Sequence, residues 1–293
     1  MATSIIKPMV VDLSHHNIVN NLQAAKDWGI RGIIHKATER NNYVDPTYDA
    51  RRVQAKAVGM LWGAYHFFRP GDVEEQVNWF LEHAKADEKT LLVLDHEDSA
   101  CSAHDAEQFL RMVEERTKRK AALYSGNTIK EQLGNQVSAY LGSCRLWLAE
   151  YGSKPECQAS WNDWWLWQYT GDGIGPHPQV VPGIGEGNDP HGPIDVNSFA
   201  GTLEELQNSW AGDPSIGVYD PRATEVYTWA QATLNILGTT PELVVDGRFG
   251  NKTREAIGKY QLDNELNITG LPDQPTIEDM CDEVQKWNNR RRK

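Results

Sequence analysis

The chain is poor in cysteine, in basic charge and in long apolar runs, and each shortage removes a class of protein. Its four cysteines, Cys101, Cys144, Cys157 and Cys281, form no C-x-x-C pair and show no zinc spacing, which argues against a disulfide scaffold or a structural zinc module. Reduced structural thiols are expected, with Cys144 and Cys157 flanking one strand and turn and able to pair only in an oxidising compartment. Lysine and arginine total 29 against 41 aspartate and glutamate, a formal charge of −12, and that balance disfavours a nucleic-acid partner. The deficit is concentrated in residues 1–221, with 19 basic residues against 30 acidic, leaving 10 against 11 in the remainder. Only Arg290-Arg291-Arg292-Lys293 is basic, the composition of a solvated tail. No stretch reaches membrane-spanning length, and residues 1–8 (MATSIIKP) hold no apolar core of signal-peptide length. Synthesis in the cytosol without a signal peptide and no integral membrane segment are therefore expected.

Against these shortages stand 11 Trp and 10 Tyr, many of them beside acids at the ends of apolar runs. Residues 92–99 (LVLDHEDS) deliver Asp95 and Glu97 two positions apart from the apolar run Leu91 to Leu94, so both carboxyl groups project from one face of a strand. Like charges at that spacing raise a pKa, which is how one carboxyl stays protonated as a general acid beside an ionised partner. Met9-Val10-Val11 leads likewise into Asp12, Leu61-Trp62-Gly63-Ala64 into Tyr65 and His66, and Pro193-Ile194 into Asp195. Between the strand-like runs lie helical stretches: residues 73–86 carry the stripe Val73, Val77, Phe80, Leu81 and Ala84, and residues 104–119 the stripe Ala106, Phe109, Leu110 and Val113. Further strands are expected at 120–124, 145–149 and 165–169. Alternating strands and helices specify a parallel β/α fold, and in a barrel of that type the strand C-termini converge on the catalytic face. Asp12, Asp95, Glu97 and Asp195 would then meet in one bowl.

The ordered segments VVDLSHHN (10–17), IIHKATERN (33–41), GAYHFFRPGD (63–72), LVLDHEDS (92–99), LWLAEYG (146–152), LWQYTGDG (166–173) and IDVNSFAG (194–201) resemble the successive strands of the Chalaropsis-type lysozymes, the family 25 muramidases. The resemblance covers roughly residues 8–202. It implies an irregular TIM-like barrel and hydrolysis of the β-1,4 bond between N-acetylmuramic acid and N-acetylglucosamine, with bacterial peptidoglycan as partner and no cofactor or metal. Glu97 is expected as general acid, supported by Asp95, Asp12 and Asp195. By the same resemblance Lys36, Tyr65, Tyr124, Trp147, Gln168 and Tyr169 are expected to line the cleft, with Arg69 reading a carboxylate of the substrate. Departures from the family pattern are His35, Arg40, and His96 between the two acids; strand alternation points His96 away from the cleft. The stretch 171–193, dense in glycine and proline, reads as a long loop without periodicity, leaving the cleft around His177 and His191 undefined.

Residues 208–222 read as a linker. Beyond it, residues 224–237 form a helical stripe of Val226, Trp229, Ala230, Thr233, Leu234 and Leu237, stopped by Gly238. The following D-G-x-F-G-x-x-T run places Asp246, Gly247, Phe249, Gly250 and Thr253, and it resembles the loop of the type 1 peptidoglycan-binding domain, a three-helix all-α module. The expected organisation is a catalytic barrel over 1–207, a linker over 208–222, the module over 223–285 with a wall-binding loop of Asp246, Gly247, Phe249 and Gly250, and a basic tail over 286–293. A monomeric, endolysin-like enzyme acting on the wall after release is what the combined resemblances imply. Three alternatives stay open. A chitinase-type enzyme needs a longer D-x-x-D-x-D-x-E strand than residues 88–97 (EKTLLVLDHE) supply; a metal-dependent amidase or deacetylase would use His66, His96 and Asp95; and a non-catalytic wall-binding protein would use neither set of acids.

Overall fold

The computed structural model describes residues 6–211, 221–247, 249, 251–266, 268, 270–272 and 274–291, and the chain divides into two compact units, Met1–Ile216 and Gly217–Lys293. In the first unit the order is β1 (Pro8–Leu13), β2 (Asn17–Val19), α1 (Leu22–Trp28), β3 (Gly32–Glu39), β4 (Tyr43–Val44), α2 (Tyr48–Ala57), β5 (Leu61–Phe67), α3 (Val73–Ala84), β6 (Leu91–Asp95), α4 (Ala103–Thr117), β7 (Ala122–Ser125), α5 (Asn127–Leu133), β8 (Leu146–Ala149), β9 (Leu166–Thr170), β10 (Ile184–Glu186), β11 (Val196–Ser198) and α6 (Leu203–Trp210).

Eight of these strands close a barrel in the order β1-β11-β9-β8-β7-β6-β5-β3, sealed by the pairing of β3 with β1. Every neighbouring pair is parallel except those of β11, which runs against both β1 and β9. Parallel neighbours need crossovers, and α1 to α5 supply them up to β8. From there the connections carry no helix, so the barrel is irregular on that side. The helix stripes form as patterned: Ala106, Phe109, Leu110 and Val113 are the buried residues of α4, which opens on a capping box between Ser102 and Asp105.

Strand alternation divides the apolar residues into two layers. Val10, Ile34, Leu91, Val93, Ala122 and Leu166 point into the barrel, while Val11, Ile33, Leu92, Leu94, Leu123 and Leu148 pack outward with Val77, Phe80, Phe109 and Leu110 of the helices. The barrel floor is closed by Trp210 at the end of α6. Its ring is 1% exposed, its Nε1 donates to the Trp62 carbonyl at 2.8 Å, and it lies so close to the start of β3 that a Cβ on Gly32 would sit 2.6 Å from it. This floor lies beyond residue 207, inside the stretch expected as linker.

The segment 171–193 is more ordered than its composition suggested. Its strand β10 pairs antiparallel with β2, matching Ile184 to Val19 and Glu186 to Asn17. Three residues flanked by glycine are too short to show a period, and the partner lies far away in sequence. Gly183 and Gly185 make the approach possible, since a Cβ on either would stand 2.2 Å from a backbone oxygen, that of Asn21 or Asp189. Cys144 is a buried free thiol, so it is not bridged to Cys157.

The second unit holds α7 (Pro221–Ile236), α8 (Asn251–Asp263) and α9 (Gln274–Arg291) around Leu234, Ile257, Tyr260 and Met280. Helix α9 runs through residues expected as a tail, because no glycine or proline interrupts the chain between Glu278 and Arg291. No helix among the described residues is long and apolar enough to cross a membrane.

Candidate active site

The same alternation that fills the barrel sets its functional residues. Two positions beyond the inward Val10, Ile34, Val93, Ala122 and Leu166 stand Asp12, Lys36, Asp95, Tyr124 and Gln168, each near the C-terminal end of its strand. Asn197 joins them from β11, whose reversed direction puts its beginning at this end. Tyr65 on β5 lies among all four predicted acids: burial first, then Asp95, Asp12, Asp195 and Glu97, hold its hydroxyl well above the ordinary tyrosine range. Asp12, Asp95, Glu97 and Asp195 therefore do converge.

Asp12 is the hub of a buried network. Gln168 Nε2 donates to both its oxygens at 3.1 Å and Asn197 Nδ2 donates to Oδ1 at 2.7 Å. Each donor is braced in turn: Tyr124 donates to Gln168 Oε1 at 2.8 Å and Trp147 Nε1 donates to Asn197 Oδ1 at 2.6 Å. Burial raises the Asp12 pKa, and the bonds from Asn197, Gln168 and Asp195 oppose that rise. Asp195 is the protonated member of the pair; burial, then the charges of Asp12 and Glu186 and its own hydrogen bond to Asp12, push its pKa up to about 9. A carboxyl whose folded pKa exceeds its unfolded value binds its proton preferentially in the folded state, so its contribution to stability is complete below the unfolded pKa of about 4 and is lost as pH rises toward 9. Asp195→Asn is accordingly expected to melt progressively higher than wild type as pH is raised from 5 to 9. A constant difference in melting temperature across that range would show that Asp195 carries no such proton.

The ladder of β6 ends at Asp95, so Glu97 sits just past it rather than within the strand. Asp95 is 6% exposed and its Oδ1 has no hydrogen-bond partner; burial, followed by the charge of Glu97, raises its pKa well above the carboxylate range. Glu97 is open to solvent but lies in a concavity dense with protein, where burial and then Asp12 raise its pKa while Arg69 and Lys36 pull it down. The greater access to water keeps its shift the smaller of the two.

Lys36 and Arg69 belong to a chain of alternating charge. Lys36 bonds to Glu39 at 2.5 Å, and Arg69 bonds to Glu39 at 2.9 Å and to Asp98 at 3.0 Å, with both cations against the ring of Phe67. Arg69 is thus neutralised by two carboxylates, unlike the uncommitted anion reader expected from the sequence. Tyr124, Trp147 and Gln168 are 7%, 2% and 1% exposed, so they brace Asp12 rather than offer faces to a ligand. Tyr169 points the other way: it is fully buried in the outer layer and donates to the Pro178 carbonyl at 2.7 Å. Its neighbour Gln168 takes the inward position by parity, which alternation alone was sufficient to decide.

Several site residues were missed. Asn197 lies in the segment IDVNSFAG, where nothing local signals that its amide bonds Asp12. Tyr151, 39% exposed, stands beside Asp195 across Gly171, where a Cβ would lie 2.3 Å from the Tyr151 hydroxyl and 2.6 Å from Asp195 Oδ1. Glu186 on β10 has its pKa raised by burial and then by Asp172 and Asp12, so the rim strand adds one acid to the bowl. Asn197 and Tyr151 lie within the segments IDVNSFAG and LWLAEYG, but only contacts between distant segments place them, with Glu186, at the bowl.

His66 is buried, bonded to Thr38 at 2.8 Å and Gln76 at 3.1 Å. His96 bonds to Gln132 at 3.0 Å. Both face the helix layer, away from Asp95, as alternation required of His96, and among the described residues no three His, Cys, Asp or Glu side chains are placed to hold a metal ion. In the second unit, Gln231 pins the predicted wall-binding loop, its Oε1 accepting from the backbone of Asp246 at 3.0 Å and Gly247 at 2.9 Å. Phe249 stacks on Tyr227 with ring centroids 4.9 Å apart, and Gly250 lies outside the described residues.

The model of a putative peptidoglycan binding domain matches residues 224–280. Over 183 residues the chain is 33% identical to the uncharacterized protein YegX of Escherichia coli O6:H1, an alignment that takes in 59% of this chain and 60% of that protein; the chain thus spans about three fifths of the length of that curated relative. Lysozyme M1 of Streptomyces globisporus is 25% identical over 214 residues, 67% of this chain and 69% of that protein. Among solved structures, a bacterial lysozyme from Streptomyces coelicolor superposes with a TM-score of 0.59 at 26% identity, covering 69% of this chain and 95% of that one. A family GH25 lysozyme from Aspergillus fumigatus gives 0.58 at 26%, covering 71% and 100%. The model of glycosyl hydrolases family 25 matches residues 11–177, more than half of the 293-residue chain, and the protein belongs to that family.

Proposed function

We propose that the protein is a peptidoglycan hydrolase that cleaves the β-1,4 bond between N-acetylmuramic acid and N-acetylglucosamine. The observation that carries this reading is the juxtaposition of solvent-accessible Glu97 with buried Asp95, whose Oδ1 lacks a partner, above the braced Asp12. Glu97 protonates the leaving glycosidic oxygen. Burial and then the charge of Glu97 raise the Asp95 pKa, and burial and then the charge of Asp12 raise that of Glu97, so the cluster resists full ionisation, which favours a protonated carboxyl beside an ionised partner. Asp12 is oriented by Gln168 and Asn197, whose hydrogen bonds together with that from Asp195 favour its carboxylate against the opposing effect of burial. Lys36, Tyr65 and Tyr151 are the partly accessible side chains placed to meet sugar. A metal-dependent amidase reading loses its ligand set, since His66 and His96 turn into the helix layer.

Digestion of purified bacterial walls followed by mass spectrometry tests the bond assignment. New reducing-end muramic acid is expected; reducing-end glucosamine or released peptides would assign a different hydrolase.

The second unit is proposed to tether the enzyme to the wall. A chain ending at Asp213 is expected to retain cleavage of soluble glycan fragments and to lose much of its action on intact walls, because tethering raises the local enzyme concentration. Residues 222–285 are expected to co-sediment with insoluble peptidoglycan at both low and high salt. Binding that requires residues 290–293 would make the attachment electrostatic and remove the role assigned to the Asp246–Gly247 loop.

A further inference from the structure

Glu97 stands two residues beyond the end of the β6 ladder, so sheet pairing does not itself fix its carboxyl group. What holds this segment is the short helix α5 and the turn before it. The His96 N–H donates to the Tyr124 carbonyl at 2.9 Å, Ser125 Oγ donates to the His96 carbonyl at 2.6 Å, and Thr128 Oγ1 donates to the Glu97 carbonyl at 2.9 Å. One turn on from Thr128, and therefore on the same helix face, Gln132 meets the His96 ring at 3.0 Å and donates through Nε2 to the Cys101 carbonyl at 2.7 Å. Because the Gln132 amide nitrogen is committed to Cys101, its oxygen is the acceptor and His96 carries its proton on Nε2. His96 Nδ1 is buried without a partner.

From this geometry we infer that the His96–Gln132 hydrogen bond positions Glu97, making both residues positioning residues for the proton donor. The inference rests on the general-acid reading of Glu97. His96 and Gln132 lie outside the cleft, so they do not contact substrate. They act by anchoring the outward side chain between two inward carboxyl residues, which sets where the chain delivers Glu97. A donor misplaced by an ångström loses much of its catalytic advantage. Asp12 and Asp172 favour the protonated form of Glu97 and Arg69 and Lys36 oppose it, while the charge of Glu97 in turn raises the pKa of the neighbouring Asp95. Released from its anchor, Glu97 moves toward water and away from Asp12, and its affinity for a proton falls.

The test uses the full chain with His96→Leu, Gln132→Leu and the double variant. Each is expected to lower kcat by about tenfold or more with KM little changed, and the double variant to lose no more than either single, since the pair acts as a unit. The alkaline limb of the kcat profile is expected to move to lower pH. His96→Leu also removes a buried nitrogen without a partner, and Gln132 is exposed enough to turn to water, so the melting temperature of that variant should not fall. A purely structural role predicts the reverse combination, activity falling with stability and the alkaline limb unmoved, and that result overturns the inference. So does wild-type kcat in folded variants. If His96→Leu does not fold, Gln132→Leu carries the kinetic test: it strands the buried His96 Nε2–H and is expected to lower the melting temperature, while a lower kcat with the alkaline limb moved to lower pH still separates positioning from a structural role. The two assignments separate cleanly: an active Glu97→Gln removes the general-acid reading, whereas an inactive Glu97→Gln beside a wild-type-like Gln132→Leu removes only the positioning role.

Discussion

Glu97→Gln is expected to lower the rate of wall cleavage by at least about 10²-fold, the usual scale for removing a general acid, while leaving the fold intact. Glutamine keeps the size of the side chain and loses only its transferable proton, and the residue is open to solvent, so little packing is disturbed. Asp95→Asn provides the internal contrast. It too is expected to be severely impaired, but its stability should change in the opposite direction from its activity. Its pKa is raised by burial and by Glu97, so the folded state favours the neutral carboxyl and forfeits stability as pH rises above the unfolded carboxylate range. Asparagine is neutral at every pH, and the variant should therefore melt above wild type in neutral and alkaline buffer. Rates on purified walls together with melting curves at pH 5 and 8 check both. A folded Glu97→Gln that clears walls at near wild-type speed would reduce the acids to solvated strand ends, and an Asp95→Asn less stable than wild type at pH 8 would mean that the carboxyl is held by a bond the mutation broke.

The opposed signs at Asp95 also show what was legible beforehand. An apolar run ending in D-x-E fixes which face two carboxyl groups share, because alternation is a local property of a strand. The same rule points His96 outward and gives the inward place to Gln168, which leaves Tyr169 in the outer layer despite its position beside the cleft. Burial was harder to read. Trp147 and Tyr124 are aromatic residues at strand ends, the usual composition of a sugar platform, yet each spends its polar atom on a residue that bonds Asp12. Whether a ring faces ligand or core depends on neighbours from other strands. Arg69 is similar: nothing in GAYHFFRPGD reveals that Glu39 and Asp98, 30 and 29 residues away, will neutralise it. The pairing of β10 with β2 joins segments more than 160 residues apart, and with it come Glu186 and the ordered rim. Local period and spacing thus exposed the barrel and its four acids, while the bracing around them depends on long-range contacts that no local window contains.

The floor of the barrel leads to the second large effect. Trp210→Ala is expected to cost about 3–5 kcal/mol, the range for truncating a buried aromatic in a packed core, because its ring is 1% exposed and fills the space over Gly32. For a unit of this size that corresponds to a drop in melting temperature of roughly 10 °C. Removing the end of α6 altogether is worse. The carbonyls of Ser209 and Trp210 accept from Arg145, a residue 8% exposed whose guanidinium stacks 4.8 Å from the Trp165 ring and has its pKa lowered to about 10 by burial. A chain ending at residue 207 loses Trp210 and both carbonyl acceptors, leaving a buried cation short of partners, a mechanism that by itself costs several kcal/mol. Set against a typical total stability of about 5–15 kcal/mol, the combined loss is large enough to unfold the barrel. A chain ending at Asp213 keeps all three features and should melt like the first unit of the intact protein. Melting curves and cleavage of soluble glycan fragments distinguish the two lengths: equal stability and activity in chains ending at 207 and 213 would show that α6 is an accessory to the barrel and not its floor.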